Sequence, residues 1–118
     1  MQISGDLQAV RERLREFVAE RDWDQFHNPK NLASAVMIEA AELLEHFQWL
    51  TAEESASLPA STHAEVELEV ADVFLFLFRL CDKLNIDPMQ ACAKKLVLNA
   101  EKYPVEKSKG RRTKYDKL

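Results

Sequence analysis

From Ala64 to Leu84 the chain carries neither glycine nor proline, and inside that stretch lies VFLFLF, the unbroken apolar run Val73–Phe78. On β-propensity alone the run reads as a buried strand. No turn signal separates it from the amphipathic residues before it, so the whole stretch is predicted as one helix. A helix that is apolar nearly all round is a buried helix. The run falls far short of the roughly 20 apolar residues that cross a bilayer, so membrane insertion is not expected. Four short helices offer too little surface to cover such a helix by themselves. Association with further copies, through this helix or its neighbours, is therefore expected.

The rest of the chain is cleanly punctuated. Gly5 and Gly110 lie near the ends, and Pro29, Pro59, Pro88 and Pro104 mark boundaries. Four helices are predicted between them. The first spans about 6–20, where Leu7, Val10, Leu14, Phe17 and Val18 recur at helical spacing. RDWDQFHNPKN is read as a connector. The second helix spans about 31–50, with Leu32, Val36, Leu43, Phe47 and Leu50 on one stripe. Residues 51–63 read as a polar linker. The third helix is expected from Thr62, where Thr62 and Glu65 form a capping-box pattern. The fourth opens at Asp87, with Pro88 at its first position and Gln90 three residues on, and ends before Pro104. The expected fold is all-α, of four-helix bundle type, with a helical domain over 1–104 and a basic tail over 105–118.

The chain has 118 residues, which suits one domain, and 47% of them are apolar. Its formal net charge of −4 argues against general nucleic-acid binding, although Lys107 to Lys117 is locally basic. The opening MQISGDLQ shows no basic-then-apolar leader pattern. Cys81 and Cys92 lack CxxC spacing and are expected as reduced core thiols, in keeping with a cytoplasmic location.

The chemistry-bearing feature is acidic. Glu39/Glu42 and Glu69/Asp72 each have i,i+3 spacing inside a strongly apolar helical run. At that spacing two side chains project from one helix face. If the second and third helices pack antiparallel, three or four carboxylates converge. Unpaired, they repel and their pKa values rise. A hard divalent cation with oxygen ligands, Mg²⁺ above all and Mn²⁺ as a substitute, satisfies them and fixes itself beside a phosphate. The plain alternative is a set of solvated acids making i,i+4 salt bridges; two pairs, both embedded in apolar stripes, weigh against it. A ferritin-type di-iron site needs ExxH motifs, and no Glu lies three residues before His27, His46 or His63.

The string EAAELLEHFQW, followed by ELEVAD and an apolar helix, resembles the MazG-like nucleotide pyrophosphohydrolases. RDWDQFHNPKNL, FQW and NAEKYP are similar to the dCTP pyrophosphatase branch, and the match runs from about Leu14 to Tyr115. ExxE or ExxD alone is a weak motif; the ordered set is specific. The resemblance implies an all-α fold working as a homodimer or homotetramer. It implies cleavage of a nucleoside triphosphate between the α and β phosphates, on dCTP or modified pyrimidine deoxynucleotides. By the same resemblance Glu39, Glu42, Glu69 and Asp72 would hold Mg²⁺, with Glu42 or Glu39 the candidate general base. Trp23 and Trp49 would stack on the base. His27 would support the pocket or cap the second helix, and Lys30 would meet a phosphate. Vertebrate members of the branch carry His where Leu14 stands and Tyr where Phe76 stands; both changes remove a hydrogen-bonding group from the pocket side, a departure that bears on selectivity for cytosine. Lys95, Asn99 and Tyr103, one face of the fourth helix, would contact phosphates and sugar. The tail residues Arg111, Arg112, Lys114 and Tyr115 would fold over the triphosphate. The rival expectation is a non-catalytic helical interaction module that retains the fold.

Overall fold

In the computed structural model, which describes residues 6–118, every regular element is helical. The described residues form six α-helices, α1 (Leu7–Glu20), α2 (Pro29–Glu45), α3 (Ala52–Ser55), α4 (Ala60–Leu84), α5 (Pro88–Lys102) and α6 (Val105–Ser108), with a 3₁₀ turn at Asp24–Phe26 between α1 and α2 and another at Tyr115–Lys117 after α6. The expected all-α class is thus observed, with no strand among the described residues. Among the described residues no helix is long and apolar enough to cross a membrane.

The helix ends follow from local chemistry. The Asp6 carboxylate accepts from the Gln8 amide at 2.9 Å and opens α1. Asn28 caps α2 by accepting from the Asn31 amide at 2.9 Å, with Pro29 in the first turn. Asp87 caps α5 through the Met89 and Gln90 amides, again with Pro at the first position, as the sequence predicts. Two non-glycine residues take the left-handed conformation that terminates a helix, Asp22 (φ 53) and Asn85 (φ 54). Short polar side chains tolerate that region best, and the Asn85 amide closes α4 onto the Cys81 carbonyl.

Several boundaries differ from expectation. α2 stops at Glu45 rather than near Leu50, because His46–Leu50 tighten into consecutive turns. The linker holds a helix of its own, α3, closed by a reciprocal capping box. In it Thr51 Oγ1 accepts from the Glu54 amide while the Glu54 carboxylate accepts from the Thr51 amide. The capping box expected at Thr62/Glu65 is not where α4 begins. α4 starts at Ala60 behind Pro59, whose fixed φ of −56° leads into the helix. Cys92 is exposed rather than a core thiol, and neither cysteine is in a disulfide.

The chain divides into two compact units, one ending at Asn85 and the other beginning at Ile86. In the first, α2 and α4 form the main packing and α1 lies against α4. α4 spans 25 residues, about 37 Å. Its apolar run is helical, as expected, but a single chain does not cover it. Phe74 remains 53% exposed and Leu68 69%. On α2, Met37 is 71% exposed, and Ile38 and Leu44 are also open. Val18 and Leu32 are the fully apolar buried residues of this small core.

Candidate active site

The direction of α2 against α4 is fixed by side-chain pairs. Glu39 interacts with Asp72 and Glu69, whereas His46, two turns further along α2, lies 3.8 Å from Glu65, two turns earlier on α4. The helices are therefore antiparallel, and the two acidic pairs face one another. Carboxylate oxygens of Glu39, Glu69 and Asp72 lie within 4.8 Å of one another. Glu42 is not one of these three but lies beside them, close enough to act on both Glu39 and Glu69.

The electrostatics are those of a site short of positive charge. Partial burial, then the hydrogen bond and repulsion from Glu42, then Asp72 and Glu69, push the Glu39 carboxyl from an ordinary 4.5 to about 7. Partial burial and then Glu42 also raise Glu69, while His46 pulls it slightly down. Glu39 Oε2 and Glu69 Oε2 are buried with no hydrogen-bond partner. Buried carboxylate oxygens rarely lack a donor. Several converging oxygens, two of them unpartnered, fit a hard oxygen-seeking dication.

Beside the carboxylates lies a cavity of about 310 Å³ lined by Leu14, Phe17, Val18, Trp23, His27, Asp72, Leu75, Phe76 and Arg79. Three elements build it: α1, the turn around Asp24–Phe26, and α4. Trp23 and Phe17 pack edge to face with ring centroids 5.7 Å apart. Asp72 belongs both to this cavity and to the carboxylate group. Of the expected substrate residues, Trp23, His27 and Phe76 come together here, with Leu14 alongside. The α2 cap is Asn28, which leaves His27 free for the cavity wall.

The other expected residues are placed elsewhere. Lys30 is exposed on the first turn of α2, and Trp49, 86% exposed, follows α2 and does not line the cavity. In the second unit Lys95 is exposed on α5 and Asn99 half-buried one turn on. Tyr103 ends α5 and meets Tyr115 edge to face at 6.0 Å, with the Lys102 ammonium over the Tyr115 ring at 4.8 Å. The tail is thereby folded back on the end of α5, with Arg111, Arg112 and Lys114 exposed on it.

Sequence reasoning missed a second ionic cluster, on α4 behind the cavity. Asp82 receives a two-pronged contact from Arg15 (3.0 and 2.7 Å), one from Arg11 (2.6 Å) and one from Arg79 (3.3 Å). Burial acts to raise the Asp82 carboxyl, but the hydrogen bonds from Arg15 and Arg11 outweigh it and hold it below its usual range. Arg79, only 5% exposed, also reaches Asp24 at 2.7 Å, and Lys83 meets the same oxygen at 2.7 Å. Hydrogen bonds from Lys83 and then Arg79 lower the Asp24 carboxyl. Arg79 Nε donates to His27 Nδ1 at 3.1 Å. The available signal was Arg79 directly after an apolar run, together with Arg11 and Arg15 at i,i+4.

Comparison with known proteins gives the family of the chain. The MazG-like family profile matches residues 35–118. Over 114 residues the chain is 39% identical to dCTP pyrophosphatase 1 of Mus musculus, covering 95% of this chain and 67% of that protein. It is 36% identical to dCTP pyrophosphatase 1 of Homo sapiens over 95% of this chain and 67% of that protein. The crystal structure of a pyrophosphatase from Archaeoglobus fulgidus DSM 4304 is 40% identical and superposes with a TM-score of 0.80, covering 88% of this chain and 97% of that one. The chain belongs to the MazG-like family.

Proposed function

We propose that this chain is a Mg²⁺-dependent nucleoside triphosphate pyrophosphohydrolase that converts a pyrimidine deoxynucleoside triphosphate, dCTP or a modified relative, to the monophosphate and diphosphate. The observation that carries this is the double membership of Asp72. One side chain joins a carboxylate cluster suited to a dication and an aromatic cavity sized for a base. A nucleotide needs those two surfaces side by side. The names and overall similarity of the relatives support the same reading.

Glu39, Glu42, Glu69 and Asp72 would hold the ion. When bound, it offsets phosphate charge and lowers the pKa of water at the site. The chain's own residues do the rest. Trp23 presents a flat π-face, and stacking of a base on such a face is worth about 1–3 kcal/mol. Phe17, Leu75 and Phe76 exclude water around it. Glu42, which is exposed beside the cluster, or Glu39 would take the proton from the attacking water. Lys30, Lys95, Asn99, Tyr103, Arg111, Arg112, Lys114 and Tyr115 are the polar and cationic groups offered to phosphates and sugar. Trp49 presents an open indole face for the base or for a second copy.

The exposed apolar residues of α2 and α4 support a homodimer or homotetramer, since a contiguous set of this kind marks an interface. A single species of monomer mass in sedimentation at micromolar concentration refutes that assembly. The activity is tested by a panel of canonical and modified nucleoside triphosphates with Mg²⁺, scored for monophosphate and diphosphate. Pyrimidine deoxynucleotides should give the highest kcat/KM. Silence across the panel would favour the rival, a helical interaction module without catalysis.

A further inference from the structure

The polar heads lining the cavity are few: the Trp23 indole, His27, Asp72 and Arg79. Arg79 has committed its nitrogens, with Nε to His27, Nη1 to Asp82 and Nη2 to Asp24. Guanidinium only donates hydrogen bonds, so the nitrogen facing Arg79 Nε must be an acceptor. That nitrogen is His27 Nδ1. A neutral imidazole with an accepting Nδ1 carries its proton on Nε2, and Nε2 is then the ring's remaining polar atom.

We propose that Arg79 is a positioning residue that holds His27 as its Nε2–H tautomer, so that this wall of the cavity offers a hydrogen-bond donor and selects a ring bearing an acceptor on the facing edge. The ligand's identity as a nucleobase rests on the function proposed above; the tautomer does not. Supporting the neutral form, burial and then the Arg79 charge hold the His27 pKa below its usual value. Arg79 is itself rigidly placed, since Asp24 and Asp82 take its two ends and only 5% of the residue is exposed. Leu14 and Phe76 bring no hydrogen-bonding group to the same cavity, which leaves His27 as one of its few polar groups. A ring presenting only a donor at that edge meets the His27 N–H head-on and leaves both groups unpaired, the costliest arrangement in a half-buried site.

Long-range ¹H–¹⁵N correlation of the imidazoles in the ligand-free protein at pH 7.5 tests the tautomer directly. His27 should show a protonated Nε2 and a bare Nδ1. A protonated Nδ1, or an averaged mixture, overturns the proposal whatever the enzyme does. Arg79→Lys keeps a charge but lacks the planar fork that can serve three partners at once. With helicity matched to wild type, it should give a tautomer mixture and raise KM for dCTP about tenfold with kcat retained, the size of one hydrogen bond. Unchanged tautomer and KM, or a fall in kcat alone, counts against positioning. Finally, 2-thio-dCTP weakens the O2 acceptor of the cytosine ring and 3-deaza-dCTP removes the N3 acceptor. Wild type should lose about tenfold in kcat/KM on one of them, and that penalty should shrink in Arg79→Lys. Equal turnover of both analogues and the parent overturns the acceptor requirement. Failure to hydrolyse any triphosphate refutes the proposed activity and leaves the NMR result to decide the tautomer. Should Arg79→Lys fail to fold, the wild-type spectrum and the analogue panel decide.

Discussion

Two ionic clusters sit on the same helix, ten residues apart, and they are built on opposite principles. Around Asp82 and Asp24, two carboxylates face four cations, Arg11, Arg15, Arg79 and Lys83. Around Asp72 and Glu69, carboxylates face other carboxylates, and two buried oxygens have no partner. The first cluster satisfies itself, pulls its acids below their usual pKa values and fastens α1 and the Asp24 turn to α4. The second is in conflict with itself and pushes Glu39 up to about 7. Charge conflict of this kind persists in a fold when something outside the chain resolves it. The contrast separates the part of α4 that holds the structure from the part that awaits a ligand.

Removing a carboxylate charge should therefore act with opposite sign at the two places. Glu39→Gln or Asp72→Asn should abolish Mg²⁺-dependent turnover, a loss beyond the roughly hundredfold seen for groups that merely support a metal ligand. The same changes relieve repulsion, so the melting temperature of the metal-free protein should rise. A variant with wild-type rates, or one that melts well below wild type without metal, removes the distinction between the clusters. Asp82→Ala should do the reverse. It strands the buried Arg11 guanidinium and takes one of the three partners of Arg79, and breaking such a buried pair costs about 3–5 kcal/mol. Chemical denaturation showing less than about 1 kcal/mol lost would place Asp82 among ordinary surface ion pairs.

Trp23→Ala probes the boundary between the clusters. It removes the aromatic wall without touching a carboxylate. KM should rise about tenfold or more, the lower end of base-stacking energies, while Mg²⁺ affinity stays put. A change in metal affinity with unaltered KM would assign Trp23 to the packing of the Asp24 turn rather than to the ligand.

How much of this was legible beforehand differs between the clusters too. The acidic group could be read because i,i+3 spacing places two side chains on one face and because carboxylates inside apolar stripes stand out. Helix identity was equally legible, since α1, α4 and α5 carry clear periodicity and Asp87–Pro88 is an unambiguous start. The Asp82 cluster was not legible: its members come from positions 11, 15, 24, 79, 82 and 83, and only the packing of α1 against α4 brings them together. The capping box shows the limit of local signals. Thr62/Glu65 and Thr51/Glu54 carry the same pattern, and chain geometry after Pro59 decided which one opens a helix.

The smallest effect is a pH dependence that tests both clusters in one experiment. In the folded chain Glu39 holds a proton up to about pH 7, whereas an unfolded chain releases it near 4.5. Between those values the native state binds more protons, so stability falls as pH rises through the window. Asp82 behaves oppositely. Its folded value is depressed, so its stabilisation is present above the ordinary carboxylate range and fades as pH falls through the folded value. Thermal melts in EDTA should therefore pass through a maximum near pH 5, declining on the acid side through Asp82 and Asp24 and on the neutral side through Glu39 and Glu69. Adding Mg²⁺ should lift the neutral side alone, because a dication displaces the proton it competes with. Glu39→Gln should flatten the neutral side without metal and leave the acid side unchanged. If Mg²⁺ instead raised the melting temperature equally at pH 4.5 and pH 7.5, the ion would be binding somewhere other than these carboxylates, and the conflict on α4 would have another cause.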